Sequence, residues 1–188
     1  YGGGSSSGIY KNSSDITVKN SVISNNRNQG IHINNASPSI TGNDIWGNTT
    51  QGIYSINAAS NPTISFNRIS SNLSHGIYIN SSSKALLTNN QLYLNRGYGV
   101  FNNTTNLIDA SNSWWGDIDS GGPYHITTNT TGTGNTVSDN VTYTPFVTVA
   151  PIDYAYRNFS TSTPDTVGNL AAFSLDTGTL SDDWDAVS

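Results

Sequence analysis

The chain has 188 residues, of which 34% are hydrophobic and 10% charged, with 18 glycines and neither cysteine nor methionine. The missing cysteines exclude a disulfide framework and a thiolate metal site, and no run of 18 apolar residues is present to span a membrane. Every acidic residue is Asp, and the net charge of −5 is split, residues 1–108 balancing at +4 and residues 109–188 at −9.

From the N-terminus, Tyr1-Gly2-Gly3-Gly4 and the Ser5–Ser7 run read as the middle of a structural repeat, with no Met and no apolar leader before them. A mature product or a fragment is the expectation, with further coils or another molecule meeting the first coil, because bare strand edges invite pairing. Five Gly–aliphatic–ring triplets follow: Gly8-Ile9-Tyr10, Gly30-Ile31-His32, Gly52-Ile53-Tyr54, Gly76-Ile77-Tyr78 and Gly99-Val100-Phe101, at steps of 22, 22, 24 and 23. A second series, Asn20/Val22, Asn43/Ile45, Asn67/Ile69, Asn90/Leu92 and Asn112/Trp114, keeps the same period, as does a third, Asn25, Asn48, Asn72 and Asn95. Three series sharing one period of this length are the mark of a solenoid.

The residue types choose which solenoid. Apolar positions come in short runs separated by Asn, Ser, Gly and Thr, which favour turns and weaken helix interiors. No window repeats apolar residues at helical spacing. The expectation is an all-β right-handed parallel β-helix, a single-stranded solenoid, with coils near 8–29, 30–51, 52–75, 76–98 and 99–116. Residues 1–112 form the coils, 113–146 a closing coil or cap, and 147–188 an extended tail, linker or inter-subunit segment.

Alternation sorts the side chains within each coil. Ile9, Ile31, Ile53, Ile77 and Val100 are expected inward, and Tyr10, His32, Tyr54, Tyr78 and Phe101 outward. On the next strand Val22, Ile45, Ile69, Leu92 and Trp114 are expected inward, with Ile23, Trp46, Ser70, Tyr93 and Trp115 outward. The series starting at Asn20 and Asn25 are expected to form amide ladders at the corners, each side chain donating to one copy and accepting from the other. After Asn112, Ser113-Trp114-Trp115-Gly116, then Gly121-Gly122-Pro123 and residues 132–146 read as the closing coil, Trp114 or Trp115 covering the open core.

At these motifs the chain resembles the right-handed β-helix repeat superfamily. The ending Asn-x-Trp-Trp-Gly … Gly-Pro … Gly-x-Gly-x-x-Val … Val-x-Tyr-x-Pro-Phe is similar to closing coils of archaeal and bacterial surface proteins of that type. The resemblance covers residues 1 to about 146 and implies the fold. The superfamily includes carbohydrate-binding, sugar-hydrolysing and copper-maturation proteins, so it implies no single activity.

Chemistry is sparse. Glycoside hydrolysis needs two carboxyl groups facing one bond, about 5–9.5 Å apart, and the coils supply Asp15 and Asp44 at different phases. His32, His75 and His125 share no phase, so no metal cluster and no cofactor are expected. Asp117 and Asp119 beside Gly121-Gly122 are the best calcium candidates, a solvated turn being the simpler reading. Six scattered basic residues make no stripe for nucleic acid. Ten Asn-x-Ser/Thr sequons are present, at Asn12, Asn35, Asn48, Asn72, Asn80, Asn102, Asn103, Asn129, Asn140 and Asn158.

The outward strip Tyr10, His32, Tyr54, Tyr78 and Phe101 is the sharpest functional feature, a platform for a glycan or a second subunit. Ring stacking alone, about 0.5–1.5 kcal/mol per pair, also accounts for it. Trp46, Tyr93, Trp115 and Trp184 add candidate assembly contacts. These features point to a non-enzymatic extracellular or cell-surface structural protein, a surface-layer, adhesin-like or filament subunit. Its expected partners are further copies, other surface proteins or glycans, and the alternative is a carbohydrate-binding or polysaccharide-processing protein.

Overall fold

A computed structural model describes residues 6–57, 60–81, 83–116 and 121–149. The first coil runs through β1 (Ile9–Asn12), β2 (Thr17–Lys19) and β3 (Val22–Ser24). The second has β4 (Ile31–Asn34), β5 (Ser39–Thr41) and β6 (Asp44–Trp46), and the third β7 (Ile53–Ile56), β8 (Thr63–Ser65) and β9 (Arg68–Ser70). Then come β10 (Ile77–Asn80), β11 (Gln91–Tyr93), β12 (Val100–Asn103), β13 (Ile108–Asp109) and β14 (Val141–Thr142). All strand pairing between coils is parallel. The result is a β-solenoid of about four turns.

Three faces result. The first stacks β1-β4-β7-β10-β12, the second β2-β5-β8 and the third β3-β6-β9-β11. Single bridges through Leu86 join β8 to β13, extending the second face to β14. Chain order repeats the faces in turn, so each coil is one circuit of the core.

The core is a set of vertical aliphatic columns. Ile31 pairs with Ile53, Ile53 with Ile77, and Ile77 with Val100, all with 1% exposure or less. On the second face Val18, Ile40 and Ile64 align; on the third, Ile23, Ile45, Ile69 and Leu92. Each such side chain contributes about 1.5–3 kcal/mol on burial. Stacking like on like is how a chain with few apolar residues fills a thin core.

On the third face the expected phase fails at both ends. Val22 is 68% exposed, while Ile23 is buried and pairs with Ile45. Trp114 pairs with Gln91, so Trp115, fully buried, is the residue that continues the column above Leu92. The cause lies one residue upstream. Asn20 and Asn112 are not ladder amides but left-handed corner residues, at φ 50° and 56°, a conformation Asn tolerates. The ladder positions are Ser21 and Ser113, and a shift of one residue reverses every side chain that follows.

The corners repeat this device. Left-handed residues occur at Asn20, Gly42, Phe66, Asn89 and Asn112 before the third face, and at Asn25, Gly47, Ser71, Leu94 and Gly116 after it. The following residue carries the ladder, except after Gly116, where Asn135 takes the place. In the first ladder the Asn43 amide groups, N and Nδ2, both donate to Asn67 Oδ1 at 3.0 Å, and those of Asn67 to Asn90 Oδ1 at 3.0 and 3.1 Å. It ends where the Asn90 N–H donates to Ser113 Oγ.

The second ladder starts at Asn26, not the expected Asn25, and runs through Asn48, Asn72 and Asn95. It ends on Asn135, 40 residues beyond Asn95 in sequence. These buried amides satisfy corner groups that water cannot reach. They also explain the recurrent glycine. A Cβ on Gly52 would lie 2.8 Å from both Asn72 Nδ2 and the Gly76 carbonyl oxygen, and one on Gly76 2.6 Å from the Gly99 carbonyl oxygen.

Asn135 belongs to the closing segment. Val137 bridges to Val100, taking the next place on the first face, and β14 pairs with β13. Gly134 lets this segment lie against Trp115, whose Cβ would be 2.8 Å from an added Cβ. Trp115 thus closes the core instead of offering an assembly contact.

Candidate functional site

The outward residues of the first face form a continuous run of rings. Tyr10 meets His32 edge-on at 5.0 Å, His32 meets Tyr54 at 5.0 Å, Tyr54 meets Tyr78 at 5.2 Å, and Tyr78 meets Phe101 at 5.2 Å. The spacing follows from strand separation, about 4.7–4.9 Å, and the rings tilt to relieve face-to-face repulsion. Tyr10 is the most open, at 56% exposure, and the other four are half-buried.

A row of asparagines flanks the rings. Asn34 donates to the Tyr10 hydroxyl at 3.1 Å, Asn80 to that of Tyr54 at 3.2 Å, and Asn103 to that of Tyr78 at 3.3 Å. Asn103 also donates to Asn80 Oδ1 at 3.1 Å, and Asn57 to Asn34 Oδ1. The strip therefore presents flat apolar faces edged by phenol and amide groups, held from one side by the sheet beneath.

At its far end the strip thickens. His75 stacks on Phe101 at 4.9 Å and 20°, and Tyr98 packs on both Phe101 and His75 at 4.9 and 5.5 Å. His75 and Tyr98 precede Gly76 and Gly99, so they share a phase with Gln29 and Gln51; that register was the signal that could have revealed them. Burial pushes the His32 and His75 imidazoles below the ordinary histidine pKa, because the charged form loses hydration.

The second group of expected contacts divides. Trp46 and Tyr93 point outward from the third face, half-buried, and Tyr93 packs on Trp114 at 5.3 Å. Trp115 is in the core. Trp184 lies outside the described residues, as do the calcium candidates Asp117 and Asp119.

The described carboxylates are engaged in holding the fold. Asp15 accepts from the Ser37 N–H at 2.6 Å, and Asp109 from the Ser111 N–H at 2.9 Å. Asp44 and Arg68, neighbours on adjacent coils, form a two-point pair, with Nε donating to Oδ1 at 2.8 Å and Nη2 to Oδ2. Among the described residues no group of three or more His, Cys, Asp or Glu is placed to hold a metal ion.

One constellation has the parts of a hydrolytic triad. His125 Nδ1 lies 2.8 Å from Thr128 Oγ1, and His125 Nε2 3.2 Å from Asp139 Oδ1. Its partners argue for a hairpin pin. Nδ1 accepts the Thr127 and Thr128 main-chain N–H groups at 3.3 and 3.1 Å, so its lone pair is already committed, and Thr128 Oγ1 is shared with the Tyr143 hydroxyl.

The sequons also separate by place. Asn48 and Asn72 are buried ladder amides, whereas Asn12 and Asn35 stand exposed at the corner beside the strip.

A family model described as the right handed beta helix region matches residues 3–115. No curated protein and no solved structure matches the chain.

Proposed function

The chain belongs to the right-handed β-helix family, and from that premise we propose that it is a non-enzymatic structural protein of the cell exterior, a surface-layer, adhesin-like or filament subunit whose outward ring strip is its contact surface. The observation that carries the reading is the contrast between the two kinds of side chain. The described carboxylates are spent on corners and inter-coil pairs, while the rings run unbroken from Tyr10 to Phe101. A contiguous, partly exposed aromatic surface of this kind supports a docking role. Static light scattering with negative-stain imaging of the purified chain tests it. Concentration-dependent assemblies are expected, abolished by Tyr54→Ala, and a strictly monomeric species at high concentration with no surface partner would overturn it.

A second reading, carbohydrate binding, is favoured by the amide and phenol groups beside the rings, since a sugar presents an apolar face for stacking and hydroxyls for the edge. Calorimetric titration with oligosaccharides, or a glycan array, separates the two. Binding lost in Tyr54→Ala with unchanged melting favours the sugar; silence across the array leaves the strip to protein contact.

A further inference from the structure

We infer that His75 is an acid-released latch that fixes the corner bearing Gly97 and Tyr98 and thereby sets the rings at the far end of the strip. His75 Nδ1 accepts the Tyr98 main-chain N–H at 3.1 Å, which places the imidazole proton on Nε2. The same corner is tied a second time by the Gly97 N–H, which donates to the Ser74 carbonyl at 2.7 Å. Gly97 has no room for a side chain, since a Cβ there would lie 2.6 Å from His75 Nδ1. The imidazole is clamped between this corner and Phe101, with Tyr78 edge-on at 5.6 Å.

Protonation turns Nδ1 from an acceptor into a donor facing a donor. The bond to Tyr98 is then lost, and the ring must turn out of its stack on Phe101 to hydrate its charge. The groups facing His75 offer no relief. β10 contributes Tyr78, β12 Phe101, the next corner Tyr98 with exposed Arg96 two residues before it, and the preceding corner the uncharged Thr50 and Gln51. Among the described residues these include no carboxylate, and Arg96 carries charge of the same sign. Desolvation acts in the same direction, holding the imidazole neutral until the pH falls below the ordinary histidine range. His32, in the middle of the strip, is also partly buried, but its neighbours are the rings of Tyr10 and Tyr54.

The latch is a statement about the strip's geometry; that its release weakens docking rests on the contact role proposed above. Amide hydrogen exchange on the full chain, corrected for intrinsic exchange, reads the latch without any ligand. Between about pH 7.5 and about pH 5 the protection of the Tyr98 amide is expected to fall about tenfold or more, while the Ile53 and Ile77 amides keep theirs. His75→Asn, whose Oδ1 accepts in place of Nδ1 and gains no proton, is expected to remove the pH response, and His32→Asn to leave it intact. Tyr98 protection that is constant across this range in the wild type, or that falls equally in His75→Asn, overturns the latch. If exchange behaves as expected but light scattering at both pH values is identical, the latch stands and the contact role of this end of the strip fails.

Discussion

Leu94 occupies a left-handed corner at φ 54° with 75% of its surface exposed, so it carries backbone strain and little burial in return. The equivalent corner of the second coil has Gly47 at φ 64°. Leu94→Gly is therefore expected to stabilise the chain by about 1 kcal/mol, raising the melting temperature by about 3 °C in a thermal scan. Gly47→Ala should move it the other way, since the added Cβ would also lie 2.6 Å from Asn25 Oδ1. Ser55 offers a second test. It is fully buried in register between Ile33 and Ile79, and its hydroxyl has no partner. Ser55→Ala is expected to raise the denaturant midpoint by removing a desolvated hydroxyl, a gain of about 1 kcal/mol. A clear loss of stability would mean that the hydroxyl is solvated by an enclosed water. At this scale the sequence misleads where Asn has two uses. Asn20 and Asn25 are drawn into the ladder series by their type, yet their backbones are left-handed and the ladder begins at Ser21 and Asn26. Residue type alone cannot separate an amide wanted for its hydrogen bonds from one wanted for its tolerance of positive φ.

The corner ladders are the elements that bind one coil to the next. Asn72 Oδ1 receives both amide donors of Asn48, and its own Nδ2 donates to Asn95 Oδ1 and to the Ile45 carbonyl at 2.9 and 3.3 Å. Asn72→Ala strands the buried Asn48 N–H, leaves Asn48 Nδ2 only its 3.4 Å bond to the Ile23 carbonyl and takes a donor from the Ile45 carbonyl, and each stranded group costs about 1–3 kcal/mol. The expected loss in equilibrium unfolding is about 3 kcal/mol or more, against about 0.5 kcal/mol or less for exposed Asn12→Ala. Similar losses for both would remove the ladder as a source of stability. The inward columns were legible because Ile and Val recur with a shared period, and strand alternation then fixes their direction. The third face was legible only in its middle coils, where Asn43, Asn67 and Asn90 each stand two residues before the inward Ile45, Ile69 and Leu92. The strip was legible as a row of rings, while His75 and Tyr98 were not, because their step sets them in a corner and not on a strand.

At the scale of the solenoid, each coil among the described residues touches only its neighbours, so stability is a sum of local terms and the ends matter most. The closing coil departs from the repeat. Asn135 and Val137, far along the chain from Asn95 and Val100, take the ladder and first-face places that periodicity would assign to residues much nearer. Such a detour leaves no period to read, which is why the cap was visible as a change of pattern but not as a set of contacts. Trp115 sits at its centre, buried above Leu92, with its carbonyl accepting the Asn135 N–H at 2.6 Å. Trp115→Ala removes the largest side chain of the core, at a cost of about 3–5 kcal/mol. In a one-dimensional stack that cost stays local. Amide exchange is expected to speed up at Leu92, Val100 and Val137 while Ile31 and Ile33, several coils away, keep their protection. Uniform loss along the chain would instead show that the coils unfold as one unit, and that the cap governs the entire solenoid.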